Sequence, residues 1–457
     1  MPMSPEIASV AIWGYGREGA AALEHLRKLL PGARMTILND APLGAAAASG
    51  AGCAVLSGAD IGKALERGDF QLVVKSPGVS PYRPEVEAAK RLGVQFTSVT
   101  NLWFEQNPGA KTIAISGTKG KSTTSNLIHH MLAAAGRDTC LIGNGGVPAL
   151  NCAAPRDYAV LELSSYQIAD LAHAPNVAVL TNLHPEHAPW HGSVERYFSD
   201  KLRLAQLSAD TILVANHADA RLRDAFSTRP NTVWFNAERG FGVQGGKLLR
   251  DDVPVPHENF RLKGEHNLSN LAAALTVAEV VGLDVANYQR AIADFGGLPH
   301  RLAEFRVGDG ILCVDDSIST IPEATIAALK SYPDRDTVLL LGGTDRGQDY
   351  RELYEFFRHS RVKLLLLLPI NGARIAGEIA AYATPFDVLP MENLQQAVEE
   401  AFKRLRKDDL LLLSPAAPSF GQFANFEERG RMFEALCKER ASRGSVGART
   451  QGDWRRG

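Results

Sequence analysis

The chain has 457 residues, of which 45% are apolar and 22% are charged, and its formal net charge is −2. This length exceeds what one hydrophobic core supports, so we expect two or three domains of ordinary globular composition. The small net charge argues against a nucleic-acid-binding protein and against a protein drawn to anionic membranes.

The cysteines and the N-terminus indicate the compartment. Five cysteines are scattered at positions 53, 140, 152, 313 and 437 without a C-x-x-C pair, which argues against a disulfide framework or a zinc site. The N-terminus lacks an export-signal pattern, and the longest apolar run, residues 364–368, is far below the ~20 residues of a membrane helix. We expect a cytoplasmic protein without membrane insertion.

Strand-like apolar runs alternate with helix-like segments, which predicts an α/β fold with parallel sheets. Three blocks emerge: 1–105, 106–298 and 299–457. The predicted strands are 9–13, 35–38 and 72–75 in the first block, 111–115, 159–163 and 177–181 in the second, and 311–314, 337–341, 364–369 and 410–413 in the third. The tail after Arg440 is rich in Gly, Arg and Ser, and we expect it to be frayed.

A glycine pattern follows the first strand. Gly14, Gly16 and Gly19 match G-x-G-x-x-G, and Asp40 ends the next strand, as in a dinucleotide-binding unit. The pattern requires only a diphosphate on a helix N-terminus, so a UDP-sugar fits as well as NAD. The segment 76–78, Ser-Pro-Gly, is either another wall of this site or a plain turn.

A second glycine loop opens the central block between a strand and a helix predicted over 124–135. Its glycines let backbone N–H groups face phosphate oxygens, its lysine can reach the β/γ-phosphates, and its serine can hold Mg²⁺. It is shorter than the standard G-x-x-x-x-G-K-[ST] form, and the alternative is a surface turn. The loop residues are Gly117, Thr118, Lys119, Gly120, Lys121, Ser122 and Thr123.

Polar residues follow the next two predicted strands. Glu162 ends one of them and is either a Mg²⁺ ligand or a helix-capping acid. The other leads into His184, His187 and His191, and because Pro185 breaks any helix there, helical zinc-ligand spacing is excluded. We expect one of these histidines to contact a metal and the others to lie on the surface.

Two helical segments carry further candidates. Lys201 lies in an amphipathic stretch, and the pattern alone favours a solvated surface lysine. Asn267 and Asn270 are three residues apart and share a helix face, where they are either adenine contacts or helix N-caps.

Taken in order, these segments resemble the Mur ligase family, and most closely its glutamate-adding members. The matching motifs are Gly-Thr-Lys-Gly-Lys-Ser-Thr (117–123), Glu-Leu-Ser-Ser-Tyr-Gln (162–167), Asn-Leu-x-x-Glu-His (182–187), Lys-Leu-Arg (201–203), His-Asn-x-x-Asn (266–270), Gly-Leu-Pro-His-Arg (297–301), Asp-Asp-Ser (315–317), Leu-Gly-Gly (341–343) and the run 414–430. The resemblance implies a Rossmann-like UDP-substrate domain (1–105), a central P-loop-type ATPase domain with a mostly parallel sheet (106–298) and a Rossmann-like glutamate-binding domain (299–457).

The resemblance also implies residue roles. Lys121, His187 and Lys201 would be catalytic, with Lys201 carbamylated into a carboxylate-like ligand, and two Mg²⁺ ions would be held by Ser122, Glu162, His187 and Lys201. The implied ATP site comprises the loop 117–123 with Asn267, Asn270, Arg301 and Asp316. The UDP-substrate site comprises Gly14, Gly16, Gly19, Ser76, Gly78, Asn144, Ser164 and Gln167, and the glutamate site comprises Thr320, Arg346, Ser419 and Phe426.

The implied reaction joins glutamate to UDP-N-acetylmuramoyl-L-alanine through an acyl phosphate, with ATP as co-substrate and a monomeric enzyme. Most D-glutamate-adding members carry lysines where this chain has Ile318 and Arg346. A planar guanidinium orients a bound carboxylate differently from the compact ammonium group of a lysine. The sequence therefore favours L-glutamate slightly, with D-glutamate as the alternative. The family's uracil-side Asp-Thr-Arg is Asn39-Asp40-Ala41 here, which leaves the uridine contacts unassigned.

Three other functions are weighed against this reaction. A folylpolyglutamate-synthase-like ligase would have no UDP-type first domain. An NAD-dependent oxidoreductase would leave residues 111–123 and 414–430 without a role. A non-catalytic ATP-binding protein would release no ADP.

Overall fold

The computed structural model describes residues 7–43, 50, 52–144, 147–262, 264–284, 288–308, 310–382 and 384–447. The chain divides into two compact units, Met1–Phe295 and Gly296–Gly457. In both units strands alternate with helices and pair mainly in parallel, so the predicted α/β fold is confirmed.

The first sheet of the N-terminal unit has the order β3-β2-β1-β4-β5, and all its pairs are parallel. Its central strand is apolar and buried because helices cover both faces of a parallel sheet. The strands are β1 (Ser9–Trp13), β2 (Arg34–Asn39), β3 (Ala54–Ser57), β4 (Leu72–Lys75) and β5 (Gln95–Ser98), and the helices are α1 (Arg17–Leu29), α2 (Ala59–Glu66), α3 (Pro84–Arg91) and α4 (Val99–Gln106).

The second sheet is also parallel, in the order β11-β10-β9-β6-β8-β7. Its strands are β6 (Thr112–Ser116), β7 (Thr139–Gly143), β8 (Tyr158–Glu162), β9 (Val177–Leu180), β10 (Ile212–Asn216) and β11 (Thr232–Phe235). The accompanying helices are α5 (Lys121–Ala134), α6 (Ser165–Ile168), α7 (Ala188–His191), α8 (Val194–Gln206), α9 (Ala220–Phe226), α10 (Glu265–Val280) and α11 (Tyr288–Asp294), with a 3₁₀ turn at Ala149–Asn151.

A small antiparallel sheet sits beside α10. It consists of β12 (Phe241–Gln244), β13 (Lys247–Arg250) and β14 (Val253–Pro254). Phe241 and Leu248 of this sheet pack into the same apolar cluster as Leu271 of α10, so the sheet extends the core rather than forming a separate one.

The two parallel sheets of the N-terminal unit share one apolar core. Ile12 of the first sheet and Leu161 and Leu180 of the second belong to a single buried cluster, and Trp103 of α4 lies within it. This continuity explains why residues 1–295 form one compact unit. The domain boundary near residue 105 stays a prediction.

The C-terminal unit has a six-stranded sheet in the order β15-β16-β20-β17-β18-β19, in which only the edge strand β15 is antiparallel. Its strands are β15 (Ala303–Val307), β16 (Ile311–Asp315), β17 (Thr337–Leu341), β18 (Val362–Leu367), β19 (Asp387–Pro390) and β20 (Leu410–Leu413). Its helices are α12 (Pro322–Lys330), α13 (Arg351–Phe357), α14 (Gly372–Ile379), α15 (Leu394–Arg404) and α16 (Phe426–Gly447).

Several smaller predictions can be compared with the structure. The five cysteines are free, as expected. Among the described residues, every helix is too short or too polar to cross a membrane. The prediction that the chain frays after Arg440 is wrong for residues 441–447, because α16 continues to Gly447. Residues 448–457 lie outside the described part.

Candidate functional site

The glycine loop predicted to cradle phosphates lies between the buried strand β6 and α5. Gly120 is the N-cap of α5 with φ +85°, and a β-carbon there would meet Asn270 Oδ1 at 2.3 Å. Gly117, at φ +147°, leaves no room for a β-carbon beside Thr181 Oγ1. The loop is therefore a strand-to-helix turn that presents a helix N-terminus, and the alternative of a surface turn is wrong for its buried residues Gly117 and Thr118.

The cation predicted to reach the nucleotide phosphates and the hydroxyl predicted to hold Mg²⁺ are both at the start of α5. Lys121 Nζ donates to Gly117 O (3.1 Å) and Thr118 O (2.9 Å), so its ammonium group lies over the loop. Ser122 Oγ donates to Glu162 Oε1 at 3.0 Å. Because β8 pairs with β6 in register, with Glu162 opposite Ile115, the carboxylate reaches the loop from the next strand end.

Glu162 is fully buried and also accepts from Asn144 Nδ2 at 3.0 Å. The helix that follows is capped by Ser164, not by Glu162, so the alternative of a capping acid is wrong. A buried carboxylate bonded to neutral hydroxyl and amide donors suits a cation such as Mg²⁺, which accepts one or two carboxylates together with phosphate oxygens.

Lys201 is not the solvated surface lysine that the pattern alone predicts. Its side chain is 2% exposed, and its Nζ donates to Gly117 O at 2.7 Å. Burial, together with the nearby Lys121, lowers the pKa of Lys201 well below its usual range. The amphipathic pattern failed because α8 turns this polar side chain towards the loop rather than towards solvent.

The three histidines separate into different environments. His184 is exposed, and His187 is half exposed at φ +55°, where its ring packs edge-on against Tyr166. Burial, reinforced by the neighbouring lysines of the loop and Lys201 and opposed by Glu186, lowers the pKa of His187, and the neutral imidazole is the metal-binding form. His191 is fully buried, so the prediction that it lies on the surface is wrong.

Residues after β9 hold the loop, and no role was predicted for them from the sequence. Asn182 Oδ1 accepts from Lys119 N at 2.8 Å, and Thr181 Oγ1 donates to Lys119 O at 2.7 Å. The Tyr197 hydroxyl lies 2.9 Å from Thr118 Oγ1. Only Asn182 stood in a recognised motif, and a buried tyrosine on an amphipathic helix gives no sequence signal.

Of the two asparagines on α10, Asn270 is buried against the loop, where its Oδ1 accepts from Thr124 Oγ1 at 3.3 Å and its Nδ2 faces Asn267 Oδ1 at 3.4 Å. The N-cap of α10 is Gly264, so neither asparagine is the cap. Their predicted approach to adenine stays a prediction.

The first glycine pattern forms the turn from β1 to α1. Gly14 has φ +93°, and a β-carbon there would lie 2.1 Å from Ser76 Oγ, whereas Gly16, the N-cap of α1, has nothing within 4 Å of that position. A β-carbon at Gly19 would collide with Gly14 O. Gly14 and Gly19 are therefore required by packing, and the open space at Gly16 suits a ligand.

The substrate residues predicted after β8 are linked to this turn. Gln167 Oε1 accepts from Ser164 N (2.9 Å) and Oγ (3.1 Å), while Gln167 Nε2 donates to Glu18 Oε1 at 3.1 Å. Glu18 lies within the glycine pattern at an unconstrained position, which is why sequence reasoning missed it. Burial raises the pKa of Glu18.

In the C-terminal unit, predicted site residues gather at one sheet edge. Asp316 follows β16, Ser419 follows β20 and Arg346 follows β17, three neighbouring parallel strands whose carboxyl ends form the usual ligand edge. Phe426 begins α16, and its ring packs edge-on against His300. Thr320, Arg301 and Arg346 are exposed, and Ser419 is buried.

Asp316 is buried and accepts from the hydroxyls of Ser319 and Ser414 (2.8 Å) and from Leu302 N (3.2 Å). Burial raises its pKa to about 6, although these hydrogen bonds act in the opposite direction. The fully buried Arg429 was missed, although it stands in a recognised motif. It donates to Ser317 Oγ (2.9 Å) and Ala417 O (3.1 Å) and so joins two segments of the predicted glutamate site.

Comparisons with known proteins agree with this geometry. Residues 115–278 match the description "Mur ligase middle domain", and residues 300–417 match "Mur ligase, glutamate ligase domain". A protein of Xanthomonas axonopodis pv. citri named UDP-N-acetylmuramoyl-L-alanine–L-glutamate ligase is 39% identical over 451 residues, which cover 94% of this chain and 95% of that relative. A protein of the same name from Salinispora tropica is 37% identical, with 94% and 98% covered.

Solved structures share the fold. The UDP-N-acetylmuramate-alanine ligase MurC of Thermotoga maritima aligns with a TM-score of 0.60 at 17% identity and covers 96% of this chain and 100% of that chain. The MurF ligase of the same organism, solved in complex with ADP, aligns with a TM-score of 0.54 at 17% identity, with 97% and 98% covered. With two domain descriptions matched in order and relatives similar over nearly the whole length, this chain belongs to the Mur ligase family.

Proposed function

We propose that this chain is the ATP-dependent ligase that joins L-glutamate to the alanine carboxylate of UDP-N-acetylmuramoyl-L-alanine in peptidoglycan precursor synthesis, acting as a monomer. The observation that carries the proposal is the phosphate loop, with Lys121 over its carbonyls and Glu162 hydrogen-bonded to Ser122. The names of the full-length relatives support the choice of reaction and of amino acid.

The reaction needs an activated acyl group. The alanine carboxylate attacks the γ-phosphorus of ATP, which forms an acyl phosphate and releases ADP; the glutamate amine then attacks the acyl carbon, loses a proton and expels phosphate. In the first step two anions must approach each other, so the protein's contribution is positioning and charge neutralisation. The loop N–H groups and Lys121 bind the phosphates, and from the family resemblance we assign Asn267, Asn270, Arg301 and Asp316 to the same nucleotide.

The donor set at the loop fits magnesium. Ser122, Glu162, His187 and Lys201 would hold two Mg²⁺ ions, which when bound neutralise charge on the γ-phosphate. Among the described residues no three His, Cys, Asp or Glu side chains form a metal-binding group by themselves. Carbamylated Lys201 would supply the missing anionic ligand: its neutral amine adds CO₂ and releases a proton. The burial of Lys201 beside Gly117 O supports this, since burial disfavours the ammonium form.

The remaining predicted residues are assigned by substrate. We assign the UDP-sugar to the β1–α1 turn with Ser76, Gly78, Asn144, Ser164 and Gln167, and the glutamate to Thr320, Arg346, Ser419 and Phe426. The division into domains 1–105, 106–298 and 299–457 follows this assignment. The guanidinium of Arg346 in place of a lysine, and Ile318 in place of another, support L-glutamate as the amino acid.

Paired reactions test the proposal. Purified protein with Mg²⁺, ATP and UDP-N-acetylmuramoyl-L-alanine receives either L- or D-glutamate, and the UDP-dipeptide is measured by mass while ADP is measured in parallel. We expect ADP release and product with L-glutamate only, and neither in Lys121→Ala. ATP hydrolysis that is indifferent to both other substrates would refute the ligase, whereas product from D-glutamate alone would refute only the enantiomer.

A further inference from the structure

A chain of largely buried hydrogen bonds joins the segment after β4 to the helices α6, α7 and α8. The Tyr82 hydroxyl donates to Asp200 Oδ1 at 2.6 Å, and Asp200 Oδ2 lies 2.5 Å from His191 Nδ1. His191 Nε2 lies 2.9 Å from Ser165 Oγ. We call these four residues, Tyr82, Asp200, His191 and Ser165, the relay.

The relay is shielded from water along most of its length. His191 is 0% exposed, Ser165 2% and Asp200 6%. Since a carboxylate only accepts, the proton between His191 and Asp200 lies on Nδ1 of the ring, and Nε2 pairs with the Ser165 hydroxyl.

Both ends of the relay adjoin predicted substrate positions. Tyr82 lies in the segment after β4 that contains Ser76 and Gly78, and Ser165 is the first residue of α6, next to Ser164. In the middle, Asp200 immediately precedes Lys201 on α8. The relay therefore adjoins three sets of predicted site residues: Ser76 and Gly78, Ser164, and the proposed metal ligand Lys201. None of its own four members belongs to these sets.

Further contacts hold the Tyr82 segment against α7. Ser80 Oγ donates to Trp190 O at 3.0 Å, and Trp190 Nε1 donates to Gly78 O at 3.0 Å. The Arg196 guanidinium lies 4.7 Å from the centroid of the Tyr82 ring. These contacts set the position of the segment, while the relay is the part that continues inward to α6 and α8.

We propose that Tyr82 is a positioning residue for the sugar-nucleotide substrate, acting through Asp200 and His191 to fix Ser165 and the start of α6 relative to the phosphate loop. The inference rests on the proposed function, because it names which substrate the relay serves. On this proposal, a single hydroxyl in the segment after β4 sets the distance between the bound sugar nucleotide and the phosphate that its carboxylate attacks.

The proposal is tested with Tyr82→Phe, which deletes only the hydroxyl. We expect kcat/KM for UDP-N-acetylmuramoyl-L-alanine to fall about 10-fold, as for loss of one hydrogen bond to a charged group, with the KM for glutamate unchanged within 2-fold. The matched control is Tyr354→Phe, which removes another tyrosine-carboxylate bond (Tyr354 to Glu378, 2.9 Å) in the other unit, and it should leave all constants as in the wild type.

A double-mutant cycle separates a relay from independent contacts. Tyr82 and Ser165 do not bond each other directly, so independent effects of Tyr82→Phe and Ser165→Ala would multiply. A relay predicts that the double variant is no worse than the poorer single variant. Each variant's thermal midpoint is measured in parallel.

Each outcome has a defined meaning. Three results would each overturn the relay while the wild-type activity still supports the ligase. They are wild-type kinetic constants in Tyr82→Phe, multiplicative effects in the cycle, and a lowered thermal midpoint with an equal loss of kcat/KM for all three substrates. If the wild-type protein itself forms no UDP-dipeptide, the proposed function fails, and the relay's assignment to this substrate fails with it.

Discussion

At the scale of single residues, Gly120 combines a left-handed backbone with a neighbour that leaves no space for a side chain. Replacing it with alanine adds backbone strain of about 1–2 kcal/mol and forces Asn270 away from the loop. We expect Gly120→Ala to weaken Mg²⁺-ATP binding at least 10-fold, measured by calorimetry.

The control for that variant is Gly136→Ala, at φ +73° just beyond the other end of α5, where nothing lies within 4 Å of the new methyl group. It carries similar strain without the collision, so its ATP affinity should match the wild type. Equal ATP affinities for the two variants would contradict the loop geometry.

A second residue-scale prediction concerns pH. Because burial raises the pKa of Asp316 to about 6, the folded protein holds this proton more tightly than the unfolded chain does. The resulting contribution to the free energy of unfolding is at most about 3 kcal/mol. It is fully present below about pH 4 and is lost as the pH rises through about 6.

The amide of Asp316→Asn does not ionise. The thermal midpoint of this variant should therefore rise relative to that of the wild type as the pH increases from 4 to 7. Thermal melts of both proteins across that range give the comparison. Parallel midpoint curves would show that folding does not raise the pKa of Asp316.

Residue types were predictable here, but residue environments were not always. The placement of Lys121, Ser122 and Glu162 around the glycine loop could be predicted because a strand end and a glycine turn fix where they lie in the chain. Lys201 and His191 could not, because burial of a polar side chain on a short or amphipathic helix depends on which neighbouring element covers it, and that is decided by packing between distant segments.

At the scale of elements, two glycines of the β1–α1 turn have different roles: Gly14 is required by packing, and Gly16 is proposed to face the ligand. Gly14→Ala places a methyl group 2.1 Å from Ser76 Oγ at a positive φ, so we expect a loss of stability of about 2 kcal/mol. Gly16→Ala meets no neighbour and keeps an ordinary backbone, so its unfolding transition should match the wild type while its KM for the UDP-sugar rises.

Denaturant unfolding and substrate titration of the two variants provide the check. If Gly16→Ala binds the UDP-sugar as the wild type does, this turn is not the diphosphate site. If Gly14→Ala unfolds at the wild-type midpoint, Ser76 does not pack against the turn.

Elements were predictable where apolar residues follow one another without interruption. The strand 72–75 and the strand 410–413 were predicted at their observed ends, since buried parallel strands read as continuous apolar runs. The helix after the phosphate loop starts at Lys121 rather than 124, because its first turn is polar and faces a ligand edge, so the periodicity begins late.

At the scale of the whole molecule, an ion pair links the first sheet of the N-terminal unit to a segment beside the second sheet. Lys75, which is 2% exposed, lies at the end of β4, and its Nζ is 2.7 Å from Asp170 Oδ2 on the second sheet's side. Asp170→Ala would take the partner carboxylate from a buried ammonium and leave it its bond to Val79 O, so we expect a loss of about 3–5 kcal/mol in unfolding free energy.

The double variant Lys75→Met/Asp170→Leu removes both charges and should recover most of that loss, because an apolar pair of similar volume replaces the ion pair. Urea unfolding of the three proteins gives the comparison. A wild-type midpoint for Asp170→Ala would mean that the pair contributes nothing to the joint between the sheets.

The succession of sheets with mainly parallel strands along the chain could be predicted because strands and helices alternate in sequence. The shared core of the first two sheets could not, since Ile12 and Leu161 are separated by 149 positions and no local pattern couples them. The same holds for the relay from Tyr82 to Ser165, whose members come from three separate segments.

The account as a whole depends on capture of the γ-phosphate by the sugar-nucleotide carboxylate over the phosphate loop. Isotope transfer measures this directly: UDP-N-acetylmuramoyl-L-alanine labelled with ¹⁸O in its carboxylate is turned over with ATP, Mg²⁺ and L-glutamate, and the released phosphate is analysed by mass. We predict that the released phosphate carries one labelled oxygen from that carboxylate. Unlabelled phosphate released in step with UDP-dipeptide formation would contradict the account.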